Sequence, residues 1–180
     1  MMRFRMRRMV FFSVFLAFRA LAADDFFDKT SHDSMNGFLA VTDKTYLKEC
    51  GSCHFAYSPG LLPAASWVRI MSRPDKHFGE TIKLDAVAGE TVSRYLSDNA
   101  ADKSPYFGSQ ILMERMDPKS PPASVMSVPR LRDKHVVIRG VIARDSSFKV
   151  RTLSNCDGCH QAAAQGDFGF PQLKIYIKGV

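Results

Sequence analysis

Cys50-Gly51-Ser52-Cys53-His54 and, over a hundred residues later, Cys156-Asp157-Gly158-Cys159-His160 together hold all four cysteines of the 180-residue chain. On a helix, a cysteine, a second cysteine at i+3 and a histidine at i+4 share one face. Two thiols on that face can bond the vinyl-derived carbons at the edge of a haem while the imidazole rises beneath its iron. This spacing is the attachment signal for c-type haem. It predicts two covalently bound haem c groups, one at Cys50, Cys53 and His54, the other at Cys156, Cys159 and His160.

Three other chemistries use cysteine pairs. Disulfides are common in oxidising compartments, but cysteines three apart on one turn make poor separate staples, and nothing in a disulfide calls for a histidine after both pairs. A zinc ribbon brings its two pairs within about 15–20 residues of each other, far closer than these. A thioredoxin-like dithiol accounts for one pair and needs a βαβ surround, which the sequence does not show.

Local signals agree with a helix at each pentad. Thr42 followed by Asp43 reads as an N-cap with an acidic first turn, after which Tyr46, Cys50 and His54 recur every four residues. Leu153, Cys156, His160 and Ala163 repeat the pattern, with Gly166 as a stop. Between the pentads, residues 61–71 form an apolar helix candidate with Pro63 in its first turn. Asp85 caps a further candidate whose inward stripe reads Val87, Thr91, Tyr95 and Leu96. The segment 117–129 contains four of the nine prolines and reads as a linker. Beyond it, the β-branched run 136–142 and the alternating run 173–177 read as strands. The expected fold is mostly α: two small c-type haem-binding domains, 43–116 and 130–180, with long loops and minor β, preceded by an N-terminal arm over 23–42.

Residues 1–22 carry four arginines in the first eight positions, an apolar stretch from Val10 to Phe18 and Ala20-Leu21-Ala22. They read as a secretory signal peptide, placing the mature chain in the periplasm. A retained anchor is the competing reading, but a membrane span needs about 20 apolar residues and Arg19 interrupts this run, so no stable membrane insertion is expected after cleavage. The segment holds five of the 25 basic residues and none of the 18 acidic ones, so its removal lowers the net charge from +7 to +2. That balance argues against nucleic acid as a partner.

Each attached histidine supplies one axial ligand, and the chemistry turns on what faces it. For the first haem the candidate is His77, in the loop between two helix candidates, with Met71, Met113, Met116 and Met126 as rivals. The chain has neither His nor Met after His160, so the second haem takes its partner from upstream. His135 is the nearest candidate, with His32, a methionine or an open site as alternatives. Two closed irons suit a low-potential one-electron carrier rather than an enzyme. An open iron would suit a diheme peroxidase or a reductase of nitrogen oxides, which also needs acid–base groups in a distal pocket. A haem-based gas sensor would bring a signalling domain for which the chain has no room.

Further residues carry a resemblance. Glu49 with the first pentad, Tyr57 and Pro59, Leu62-Pro63-Ala64, Trp67, His77-Phe78-Gly79, Tyr95-Leu96 and Asn99-Ala100-Ala101 resemble the bacterial diheme cytochrome c family. Arg132, His135, Ser154-Asn155-Cys156, Cys159-His160 and Gly166-Asp167 continue it, over residues 43–171 in all. Pro129-Arg130-Leu131 stands where the family pattern has an aromatic segment. The resemblance implies a periplasmic electron carrier with two low-spin haems, each held by two histidines, and carries His77 and His135 over as the distal ligands. It also implies a membrane b-type cytochrome as electron donor and a soluble, oxygen-binding haem protein as acceptor.

Overall fold

The computed structural model describes residues 37–144, 150 and 152–169. The expected signal peptide, His32 and the strand over 173–177 lie outside the described residues. Six α-helices are described: α1 (Lys44–Cys50), α2 (Ala64–Met71), α3 (Ala86–Asp98), α4 (Phe107–Met113), α5 (Pro129–Lys134) and α6 (Val136–Arg144). Short 3-10 turns lie between and after them, and the described residues include no strand; His77 and Glu80 form an isolated bridge. The fold is mostly helical.

Capping places α1 and α3. Asp43 itself caps α1, accepting from the Tyr46 amide at 2.7 Å, so the cap falls one residue later than Thr42. Asp85 caps α3 in the expected way, accepting from the Ala88 amide at 2.8 Å. Of the expected stripe of α3, Leu96 is buried and Tyr95 packs against the core, but the buried row is Ala88, Val92 and Leu96 rather than the one that begins at Val87, which is 76% exposed. Both rows repeat every four residues. Packing between α1 and α2 selects the row that also places Tyr95 beside Tyr46, ring centres 5.5 Å apart.

The run 136–142 is helical, contrary to the strand reading. A strand there would have no described neighbour to pair with, and its amides and carbonyls would go unbonded. A helix satisfies them internally. Pro129, at the first position of α5, already directs the chain into helical geometry. Of the branched side chains in the run only Ile142 is buried, while Val136 and Val137 stand exposed.

The apolar core gathers Tyr46, Leu61, Leu62, Trp67, Val92, Leu96 and Leu112 around α1–α4. The proline-rich segment is irregular up to a short 3-10 turn, Val125–Ser127, and it packs into this core through Val125 and Val128. α2 holds it by hydrogen bonds: Ser66 Oγ donates to the Pro122 carbonyl at 2.7 Å, and Arg69 donates to the carbonyls of Pro121 and Pro122 at 2.9 and 2.7 Å. Proline carbonyls are free to accept because no helix or sheet uses them. Trp67 adds an indole bond to the Pro59 carbonyl at 2.8 Å.

The two ends of the described chain meet at Gly166. Its carbonyl accepts from the Phe38 amide at 2.9 Å, and Phe38 and Phe168 meet edge to face with ring centres 5.3 Å apart. Gly166 has φ +80°, and a Cβ there would run into the Phe38 carbonyl. The expected helix stop is therefore also a close-approach site.

Gly166→Ala is expected to destabilise the protein by about 1–3 kcal/mol, since it combines left-handed strain with a backbone clash. Asp85→Ala is expected to cost about 1 kcal/mol through the lost cap. Denaturant melts of the haem-loaded protein check both, and Gly166→Ala should have the lower midpoint.

Candidate functional site: two facing histidine pairs

α1 ends at Cys50, and Gly51 continues with helical angles only as its cap. Ser52, Cys53 and His54 lie in the turn that follows. The first pentad is therefore split between a helix end and a turn, not carried on one helical face. The second pentad opens as a 3-10 turn over Cys156–Gly158, and the His160 amide donates to the Cys156 carbonyl at 2.8 Å, closing one α-like turn. In both places the helix is shorter than the periodicity predicts. A single turn is enough to put two thiols and an imidazole side by side.

None of the four cysteines is in a disulfide. Burial, then the neighbouring Glu49 and Cys53, push the Cys50 thiol up to about 11. Burial and then Asp157 push Cys156 up to about 12. Among the described residues no cluster of three or more His, Cys, Asp or Glu side chains is placed to hold a metal ion.

The structure brings each attached histidine against one of the two expected partners. The His54 and His77 rings lie 6.1 Å apart, centre to centre, and only 8° from parallel. The His135 and His160 rings are also 6.1 Å apart, but inclined at 68°. Metal–nitrogen bonds of about 2 Å, with ring centres about 1 Å beyond the ligating nitrogens, place two imidazoles on opposite sides of one ion about 6 Å apart. Both pairs have that spacing, so the residues fit a haem iron between them. Met71, Met113 and Met116 belong to the apolar cluster, and Met126 lines a cleft beside His135.

Hydrogen bonds set the ring tautomers. His54 Nδ1 donates to the Phe55 carbonyl at 2.7 Å, and His135 Nδ1 donates to the Leu131 carbonyl at 2.6 Å. Each bond fixes the proton on Nδ1 and leaves the Nε2 lone pair free. His160 Nδ1 is buried, and its ring rests against Phe168 with centres 5.4 Å apart. Burial first, and then the partner histidine in each pair, lower the pKa of His77 and His160, so both favour the neutral form that can ligate.

His77 is presented by an unusual turn. His77 and Glu80 exchange two backbone bonds of 2.9 Å around Phe78 and Gly79, whose φ angles are +52° and +101°. Two positive φ angles between paired residues mark the mirror-image turns that normally take Asn, Asp or Gly first. Phe78 occupies that first place, with its ring edge-on to His77, centres 4.9 Å apart. A cleft of about 150 Å³ beside His77 is lined by Arg69, Arg73, Lys76 and Phe78, and one of similar size beside His135 by Arg132, Asp133 and Arg139. Sequence reasoning missed these cationic walls although each is local in the chain, over 69–78 and 132–139, because the sequence does not tell which side of each histidine its neighbouring cations will line.

The family model for dihaem cytochrome c matches residues 46–168. The chain is similar to a diheme cytochrome c from Rhodobacter sphaeroides, with 32% identity over 71% of this chain and 98% of that one, and a TM-score of 0.59. It is also similar to a diheme cytochrome c from Shewanella baltica OS155, with 28% identity over 73% of this chain and 91% of that one, and a TM-score of 0.57. No curated protein matches.

The two ring geometries should be separable by spectroscopy. Parallel imidazoles donate into the same iron d orbital and split the pair, whereas crossed imidazoles leave the two nearly degenerate and the magnetic anisotropy large. The EPR spectrum of the oxidised protein should therefore contain one ordinary rhombic low-spin signal, from the His54 and His77 pair, and one with a much larger maximum g value, from the His135 and His160 pair. Two identical rhombic signals would contradict the 8° and 68° angles.

Proposed function

We propose that this chain, which belongs to the dihaem cytochrome c family and carries two covalently attached haem c groups, is a low-potential one-electron carrier whose two irons are both closed to substrate. The observation that carries this reading is the pair of facing imidazole couples, each 6.1 Å between ring centres. With His54 and His77 on one iron and His160 and His135 on the other, no axial position is left for a small molecule. The bound haem supplies a reversible one-electron couple. The protein supplies four imidazoles, two with their tautomers fixed by carbonyls, and bis-imidazole ligation sets a lower potential than Met/His ligation.

The chain's cations have a role in the same reading. Arg69, Arg73 and Lys76 lie where the carboxylates of the first haem could be met. Arg132 and Arg139 lie similarly for the second, although Asp133, paired with Arg132 at 3.2 Å and Arg115 at 3.0 Å, offsets part of that charge. Arg73→Gln is expected to lower the potential of the first haem, because removing a nearby cation favours the more positive ferric state. Spectroelectrochemical titration reads the sign.

The N-terminal sequence supports a periplasmic setting, and the family resemblance supports a membrane b-type cytochrome as donor and a soluble oxygen-binding haem protein as acceptor. A carrier between such partners docks through a small, transient interface.

The decisive experiment is ligand opening. The reduced wild-type protein should not bind carbon monoxide. His135→Ala should keep both haems covalently attached, gain a high-spin component, bind carbon monoxide at one haem and raise that haem's potential. His77→Ala should do the same at the other haem. Stoichiometric carbon monoxide binding by the wild type, unchanged in His135→Ala, would overturn the closed-site carrier and favour a diheme enzyme.

A further inference from the structure

One side chain touches both haem sites. The Tyr57 ring lies against His54 with ring centres 5.2 Å apart. Its hydroxyl donates to the Ser154 carbonyl at 2.6 Å, across 97 positions of sequence. The same carbonyl lies 4.0 Å from Cys156 Sγ, the first attachment sulfur of the second haem. Tyr57 is itself fixed to the core, because the buried Tyr46 hydroxyl donates to its carbonyl at 3.0 Å. An unbroken series of contacts thus runs from an axial imidazole of one haem, through an aromatic ring and a short hydrogen bond, to the attachment point of the other.

We propose that Tyr57 is the link through which the two haem sites exchange electrons. In that step one electron leaves the ferrous iron held by His54, which becomes ferric, and reaches the ferric iron held by His160, which becomes ferrous. The reverse step uses the same route. No bond is made or broken and no proton moves. Tyr57 stays a neutral phenol throughout, its O–H committed to a backbone carbonyl that cannot take up the proton. The short bond matters because electronic coupling falls off much faster across an unbridged gap than along bonds. Its phenol O–H is the only feature of the route that a Phe lacks.

The proposal rests on the carrier reading but is tested within the protein alone. Wild type, Tyr57→Phe and Tyr57→Leu would be prepared with both haems and half-reduced. Exchange between the two one-electron forms would be measured by NMR line broadening of the haem methyl signals, with both potentials determined so that differences in driving force are removed. Tyr57→Phe is expected to slow the exchange several-fold while both low-spin EPR signals stay unchanged, and Tyr57→Leu, lacking the ring as well, to slow it further. Unchanged exchange in both variants would overturn the proposal and show that the haem edges exchange directly. It would also fail if slowing occurs only together with loss of a low-spin signal, since Tyr57 would then act by holding a ligand. Either failure leaves the carrier reading standing, because that reading falls only if the wild type binds carbon monoxide.

Discussion

Two imidazoles that share one metal ion must be held about 6 Å apart, centre to centre, by segments that have no tendency of their own to meet. His54 and His77 come from turns on either side of α2, and His135 and His160 from the junction of α5 and α6 and a one-turn coil near the C-terminus. Most of the fold can be understood as the scaffold that satisfies this constraint twice. α2 illustrates it: Trp67 anchors the loop leading out of the first pentad, while Ser66 and Arg69 grip the proline carbonyls that begin the approach to His135.

Apart from the 3-10 turn Val125–Ser127, the stretch from Asp117 to Val128 has no regular structure, yet its side chains enter the apolar cluster and its carbonyls are bonded to α2. A flexible spacer would leave the position of His135 undetermined. A proline-rich segment loses less entropy on ordering than an ordinary one, because its φ angles are already restricted, and a few side-chain bonds are enough to hold it. The second site is therefore positioned by packing against the first.

The turn that carries His77 shows the same constraint at smaller scale. A phenylalanine at φ +52° is strained by roughly 1–3 kcal/mol, and Asn or Gly would remove that cost. Phe78 stands 64% exposed with its ring edge-on to His77. Its position is explained by the site, where an aromatic face is wanted beside the imidazole, and by nothing in the apolar core.

Sequence by itself determined the chemistry. The two pentads, using every cysteine, specify the haem attachment because thioether spacing is local, a matter of three and four residues along the chain. The short supply of other histidines put His77 and His135 first among the distal candidates, ahead of His32 and the methionines, and Asp85 and Gly166 were legible because caps and stops depend on neighbouring backbone. Tertiary structure alone decided what depends on distant neighbours. It made 136–144 a helix, since a strand is stable only beside a partner, and it turned α3 so that Ala88 rather than Val87 faces inward, since the packing helices choose between two equally periodic rows. It also set the 8° and 68° ring angles and the contact from Tyr57 to Ser154, because the orientation of a side chain held by segments far apart in sequence is fixed by packing and leaves no local pattern to read.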